Sequence, residues 1–408
     1  MAMKKEFVAL MALSMSLVAL AIDAMLPALA EIGSDLGLAR DNDRQLVLTV
    51  LFLGLSLGQL FYGPISDSLG RRGPIFFGFG LFILGSALAV VAPTFEWLLI
   101  GRFLQGLGAA GPRILTVAII RDCAVGREMA RLMSLVMMVF ILIPAIAPAL
   151  GQAILLIASW RGIFMALLLL SSMTLVWFYL RQPETLSFEA RRPISPASLG
   201  GAFVEVLHTR STVLYTLSGG MIFGSFVGFL NSAQQIFQEL YGLGVRFPAY
   251  FAVLALTIGC ASLINARLVI RLGMRFLCIL GLGVTVLTSA VFLVYCLIGD
   301  PGIWLLMAYL MVTFFCTGIL FGNINALAME PLGHMAGLAS SMIGSAKTLI
   351  SLLLGYVIGY AYDSSVVPLV TGFFLLSALA FGLMWLSGSE APTARQPLTD
   401  RLREESSR

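Results

Sequence analysis

Four charged side chains interrupt long apolar runs: Asp23, Arg102, Arg113 and Lys347. A charge inside a membrane span costs several kcal/mol by most scales, so it faces a cavity, a partner or the end of its helix. Asp23 lies sixteen residues into its run, about 24 Å at 1.5 Å per residue. Arg102 lies seven residues into a run that enters from the opposite side, about 10 Å deep. The two depths agree, so the pair is geometrically allowed. A carboxylate whose proton affinity is set by burial and by a nearby arginine does reversible proton chemistry. A fixed ion pair that only holds two helices together is the competing reading. Arg113 follows Pro112, where a helix should kink. An arginine keeps its proton, so Arg113 binds anions or biases a carboxylate, or simply joins helices. Lys347, near the middle of its run, is either a protonation switch or a snorkelling amine.

Uncharged polar residues recur in the same runs: Gln59, Gln105, Asn231, Gln234, Gln235, Asn323 and Asn325. They offer hydrogen bonds to a substrate cavity, or bonds between helices. A second charged group sits in the short gap from Gly63 to Arg72, where Asp67, Arg71 and Arg72 accompany Gly63 and Gly70. A hairpin needs no such charges merely to turn, so the pattern reads as a latch at a membrane face. Other chemistries lack their residues. Two histidines, His208 and His334, stand far apart and make a histidine-based metal centre improbable. Of Cys123, Cys260, Cys278, Cys296 and Cys316, four fall in apolar runs and none forms a CxxC pair, which argues against a disulfide framework. No HExxH, GxSxG or phosphate-binding loop occurs, so neither an enzyme nor an ATP-driven machine is expected, and no cofactor.

The elements that carry these residues follow from composition. Of 408 residues, 59% are hydrophobic and 11% charged. Soluble domains hold about 45–50% and about 25%. Too few charges remain to cover soluble cores, so a lipid bilayer is the expected surrounding. A net charge of +4 gives no reason to expect nucleic acid. A spanning helix needs about 20 mostly apolar residues. Twelve such runs lie near 7–29, 46–65, 74–92, 95–119, 132–157, 161–180, 213–238, 247–270, 275–297, 303–327, 338–361 and 366–388. They are continuously apolar without period-two alternation, which indicates helices rather than barrel strands. The first run could be mistaken for a cleaved leader, but its length, Asp23 and Pro27 read as a span. With the N-terminus inside, eighteen lysines and arginines fall in inner loops and tails, and four (Arg40, Arg44, Arg161, Arg246) in outer loops. This asymmetry expects both termini in the cytoplasm.

Six spans lie on each side of a long polar stretch. The expected layout is an N-terminal bundle over 1–180, a linker over 181–212, a C-terminal bundle over 213–388 and a disordered tail over 389–408. Leu69-Gly70-Arg71-Arg72 after the second span is matched by Leu272-Gly273-Met274-Arg275 after the eighth. A match at equivalent loops of two halves indicates internal duplication, as in many secondary transporters. The fold class is therefore an all-α polytopic membrane protein with twelve helices in two pseudo-symmetric bundles.

The hairpin from Gly63 to Arg72 resembles the signature loop of the major facilitator superfamily. Arg102-Phe103-Leu104-Gln105-Gly106 resembles its fourth-helix motif, and Pro144 to Gly151 its fifth-helix antiporter motif, with Ala147-Pro148 in place of the usual Gly-Pro. Ile22-Asp23-Ala24-Met25-Leu26-Pro27, Trp160-Arg161-Gly162 and the stretch from His334 to Ser341 are similar to the bicyclomycin/chloramphenicol-resistance (Bcr/CflA) branch. The resemblance implies a proton-driven drug exporter of the bacterial inner membrane, acting as a monomer on drug-like molecules. It implies proton coupling at Asp23 and Arg102, and a cytoplasmic gate in which Asp67 meets helix eleven and Arg121. It also implies headgroup or acidic contacts for Arg71 and Arg72, and shaping of helix five by Pro144, Pro148 and Gly151. The second half lacks the hairpin aspartate. A carrier for a native metabolite and a non-transporting sensor on the same fold are the alternatives.

Overall fold

The computed structural model describes residues 2–191 and 196–388. The expected polar tail over 389–408 lies outside the described residues. In chain order the helices are α1 (Ala2–Asp23), α2 (Leu29–Asp35), α3 (Leu46–Leu69), α4 (Arg72–Val90), α5 (Phe95–Cys123), α6 (Gly126–Leu155), α7 (Trp160–Arg181), α8 (Pro196–His208), α9 (Arg210–Gln234), α10 (Phe247–Leu272), α11 (Met274–Ile298), α12 (Ile303–Met329), α13 (Ala336–Tyr360) and α14 (Val367–Leu386). No strand occurs among the described residues.

Among the described residues, eleven helical stretches are long and apolar enough to cross a membrane. One of them, Ile303–Tyr360, has 58 residues. At 1.5 Å per residue it would reach about 87 Å, nearly three times a ~30 Å hydrocarbon core. It crosses twice instead, because the 3-10 turn Glu330–Met335 separates α12 from α13, with Leu332 outside helical geometry. Twelve crossings result, and the protein is a multi-pass membrane protein.

Two departures concern the expected boundaries. The first span is not one helix. α1 stops at Asp23, a 3-10 turn Leu26–Ala28 carries Pro27, and α2 follows. Proline lacks an N–H and disfavours helix in the residue before it, so the chain breaks beside the carboxylate. The linker contains helix α8, tied to the α12–α13 turn by a 2.9 Å contact between His334 Nε2 and Glu205 Oε1.

The internal repeat has a structural counterpart. Gly70 (φ +96°) ends α3 and Gly273 (φ +79°) ends α10. Such positive φ values suit glycine, which has no Cβ to clash. Arg72 Nη2 donates to the Tyr179 carbonyl at 2.8 Å, in the last turn of α7. Arg275 Nη2 donates to the Met384 carbonyl at 3.2 Å, in the last turn of α14. Each half thus caps the carbonyl end of its final helix with the matching arginine, where a cation is electrostatically favoured.

Glycines let helices touch backbone to backbone, the packing expected where no hydrophobic force draws helices together in lipid. A Cβ on Gly106 of α5 would overlap the Leu51 carbonyl of α3. The halves meet chiefly along α3–α13 and α6–α10. On α3, a Cβ at Gly63 would stand 2.5 Å from Ser341 Oγ of α13, so that hydroxyl would have to turn away.

Candidate functional site

Between the halves lies a cavity of about 910 Å³. Its apolar wall includes Phe223, Phe226, Phe251, Phe314 and Phe321. Its charged groups are Asp23, Arg113 and Lys347 within the spans, and Asp67, Arg71, Arg121 and Asp122 at one end. Arg121 and Asp122 are exposed, so the cavity runs out to the face that carries the hairpin.

The opposite end is sealed by side chains from both halves. Arg44, in the 3-10 turn Asp41–Gln45 before α3, is buried. Its Nη1 donates to Glu239 Oε1 at 2.6 Å and to Gln234 Oε1 at 3.1 Å, and Nη2 to Glu239 Oε2 at 3.3 Å. Gln235 Nε2 donates to Asn42 Oδ1 at 2.7 Å, and Asn42 Nδ2 donates to the Tyr360 and Tyr362 carbonyls at 3.0 and 2.9 Å. Glu239 and Gln235 lie in a π-helical stretch, Gln235–Leu240, that extends α9. Such wide turns are frequent at functional sites.

Of the seven uncharged polar residues and the cations Arg113 and Lys347, Gln59, Asn325, Arg113 and Lys347 line the cavity. The other five lie elsewhere. Gln234 and Gln235 belong to the seal. Gln105 donates to Ser86 and accepts from Arg102. Asn231 donates to the Gly355 carbonyl, and Asn323 exchanges bonds with Asn265. Each is claimed by a neighbouring helix, which turns it from the cavity. Asn325 lines the cavity and accepts from Lys347 Nζ at 3.3 Å.

Asp23 is buried at the cavity wall and makes no hydrogen bond or ion pair among the described residues. The expected contact with Arg102 does not form. Arg102 is fully buried and spends its donors on the Val47 carbonyl (2.8 Å), Gln105 Oε1 (2.9 Å) and the Ala21 carbonyl (3.0 Å). The break after Asp23 explains this, since the last turn of a helix leaves carbonyls without amide partners. Arg102 therefore anchors the broken end of α1 rather than its carboxylate. α6 presses on the same break: a Cβ on Gly151 would overlap the Ala24 carbonyl. Pro148 lies inside α6 and is buried, and Pro144, one turn earlier, lines the cavity.

The expected hairpin is mostly helix, since Gly63 to Leu69 continue α3 and only Gly70 and Arg71 join it to α4, and its wiring also differs from expectation. Asp67 does not bond Arg121. Arg71 bridges instead, Nη1 to Asp67 Oδ1 at 2.5 Å and Nε to Asp122 Oδ2 at 2.9 Å, joining the hairpin to the end of α5. Burial works against this guanidinium's charge, but Asp122 and Asp67 outweigh it and hold its pKa above the ordinary value. Asp67 does approach α13, 4.0 Å from where a Cβ on Gly337 would stand. Arg72 lies over the Phe76 and Tyr179 rings rather than at an acidic side chain. Glu184 was not singled out by the sequence. Its Oε1 accepts from the Arg71 N–H at 2.8 Å and its Oε2 from the Arg72 N–H at 3.0 Å, capping α4. Burial raises its pKa, but the N–H groups of Leu186, Arg72, Arg71 and Thr185 together lower it below the ordinary value. Sequence reading also missed Arg44 and Glu239. Arg44 is one of only four cations in the expected outer loops, and that scarcity was the available signal.

Two bundles around a central cavity, sealed at one end and reaching the opposite face, define a membrane transporter rather than an enzyme. The sequence pattern of the Major Facilitator Superfamily matches residues 11–355, and the chain belongs to that family. It is 32% identical over 370 residues to the uncharacterized MFS-type transporter YdgK of Bacillus subtilis, covering 88% of this chain and 90% of that one. It is 28% identical over 357 residues to the bicyclomycin resistance protein homolog of Haemophilus influenzae, covering 86% and 87%. The xylose transporter XylE of E. coli shares the fold, with a TM-score of 0.73 at 13% identity over 95% of this chain and 98% of that one.

Proposed function

We propose that this transporter is a proton-coupled exporter of drug-like molecules in the bacterial inner membrane, with both termini and the Asp67 face in the cytoplasm. The observation that carries the reading is Asp23, a carboxylate that lines the cavity away from the Asp67–Asp122 mouth, with no cation paired to it among the described residues. A carboxylate so placed can trade a proton for the basic group of a substrate. Resistance relatives support export, and the excess of arginines at the Asp67 face supports the orientation.

The cycle follows from the two ends of the cavity. Substrate enters from the Asp67 face, where the cavity reaches Arg121 and Asp122. Opening the other end requires Arg44 to leave Glu239 and Gln234, while the hairpin and α13 draw closer around Asp67. A proton arriving from outside neutralises Asp23 and releases the substrate. Proton loss to the cytoplasm resets the site. The proton gradient alone drives the exchange, with no bound cofactor.

The test is fluorescent-drug flux in inverted vesicles under an imposed pH gradient, with wild type beside Asp23→Asn. The reading expects flux that collapses with the gradient and in the variant. Gradient-dependent flux that survives in Asp23→Asn moves the proton site elsewhere. No flux across a broad drug panel turns the reading towards a dedicated metabolite carrier.

A further inference from the structure

The cavity holds an excess of positive charge that proton exchange at Asp23 does not use. Arg113 faces the cavity and has no hydrogen-bond or ion-pair partner among the described residues. Lys347 has only a neutral partner in the side chain of Asn325, at 3.3 Å. The two cations sit at one depth. Arg113 is ten residues from the end of α5, and Lys347 is eleven residues from the start of α13. Both rises come to about 15–17 Å from the Asp67 face. Arg113 and Lys347 line the same cavity from opposite halves. Nearer the mouth, Arg71 is already matched by Asp67 and Asp122. Two unmatched cations at one level, with aromatic rings beside them, are a place for an anion. A guanidinium offers a carboxylate two parallel N–H donors.

Asp23 lies well above them. Arg102 reaches the Ala21 carbonyl, so Asp23 stands near the level of Arg102. Arg102 and Arg113 are eleven residues apart on α5, about 16 Å along the helix. The charge layout is then an acid at the sealed end, two bases midway and an apolar wall between.

We propose that the cavity is built for amphipathic zwitterions: an anionic group docks between Arg113 and Lys347, an aromatic body lies against the phenylalanine wall, and a basic group points toward Asp23. This rests on the exchange reading, and electrostatics then selects the class. A proton on Asp23 makes the cavity more positive, so a pure anion and a proton would help each other bind, which is cotransport. A pure cation would have to enter beside two unmatched positive charges. A zwitterion's anionic group offsets one of the two lower charges, while its basic group competes with the proton above.

The test uses purified protein in nanodiscs and three tritiated probes: 4′-(aminomethyl)biphenyl-4-carboxylic acid, its methyl ester and its N-acetyl derivative. The zwitterionic acid is expected to bind on the order of tenfold tighter than either derivative, the worth of one charge-assisted contact. Arg113→Gln and Lys347→Gln should each remove the preference of acid over ester, weakening the acid and, with one repelling charge gone, not weakening the ester. The wild-type ratio stands without the variants if one of them fails to fold. Equal binding of acid and ester, no binding of the acid, or equal losses for both probes in the variants overturns the proposal. An N-acetyl derivative that matches the zwitterion overturns its Asp23 half. Acid preference without gradient-driven flux leaves the ligand class standing and overturns exchange. Gradient-driven flux of the ester but not the acid does the reverse.

Discussion

Arg44 and Glu239 form a two-pronged ion pair across the halves, 2.6 Å from Nη1 to Oε1 and 3.3 Å from Nη2 to Oε2. The Arg44 side chain is 6% exposed and that of Glu239 40%. Water therefore competes for the carboxylate but hardly for the guanidinium, and removing Glu239 leaves Arg44 with Asp41, at 3.6 Å, as its ion-pair partner and with Gln234. Losing a half-exposed charge-assisted contact of this kind costs about 1.5–3 kcal/mol.

Glu239→Gln is accordingly expected to shift the resting population towards opening at this end by at least about tenfold. Spin labels at exposed positions 39 and 245, one on each half, should report longer distances. The charge-reversed double variant Arg44→Glu with Glu239→Arg should restore the short distance. Unchanged distances in Glu239→Gln would remove the pair from the gate.

Arg71, not Arg121, carries the hairpin's link to α5. Arg71→Ala leaves Asp67 and Asp122 as facing carboxylates and should lower vesicle flux by about tenfold, from charge-assisted bonds of about 1.5–3 kcal/mol each. Arg121→Ala should lose much less. The reverse ranking would favour an Asp67–Arg121 latch.

Glu184 predicts a pH dependence of stability. Its folded pKa is depressed, so its contribution is fully present above the ordinary glutamate value of about 4.3 and is lost as pH falls through the folded value. The Tm of detergent-solubilised wild type should exceed that of Glu184→Gln at neutral pH, with the gap closing below about pH 4. A gap that persists in acid would mean the carboxylate's charge plays no part.

Gly151 and Gly80 separate close packing from open space. A Cβ at Gly151 meets the Ala24 backbone, whereas one at Gly80 meets nothing within 4 Å. Gly151→Ala is expected to cost about 1–3 kcal/mol by forcing α6 off the α1 break, and to impair flux through Asp23. Gly80→Ala should be neutral or slightly stabilising. Equal Tm values for the two variants would show that α6 moves aside freely.

The sequence by itself determined the twelve crossings, the two halves and the turns at Gly70 and Gly273, but not the break beside Pro27. These are local matters: a run of about 20 apolar residues must be helical in lipid, and glycine punctuates it. It also identified Asp23, Arg113 and Lys347, because a charge stands out in an apolar run. Only the tertiary structure decided what each polar group faces. Gln59 lines the cavity while Gln105 bonds Ser86, and Arg102 takes the Ala21 carbonyl instead of Asp23. Arg44 meets Glu239 across 195 residues of chain. Hydropathy is nearly uniform around most of these helices, so it marks depth along a helix but says little of its rotation. Rotation is set by which glycines admit a neighbouring backbone and by partners far away in the chain.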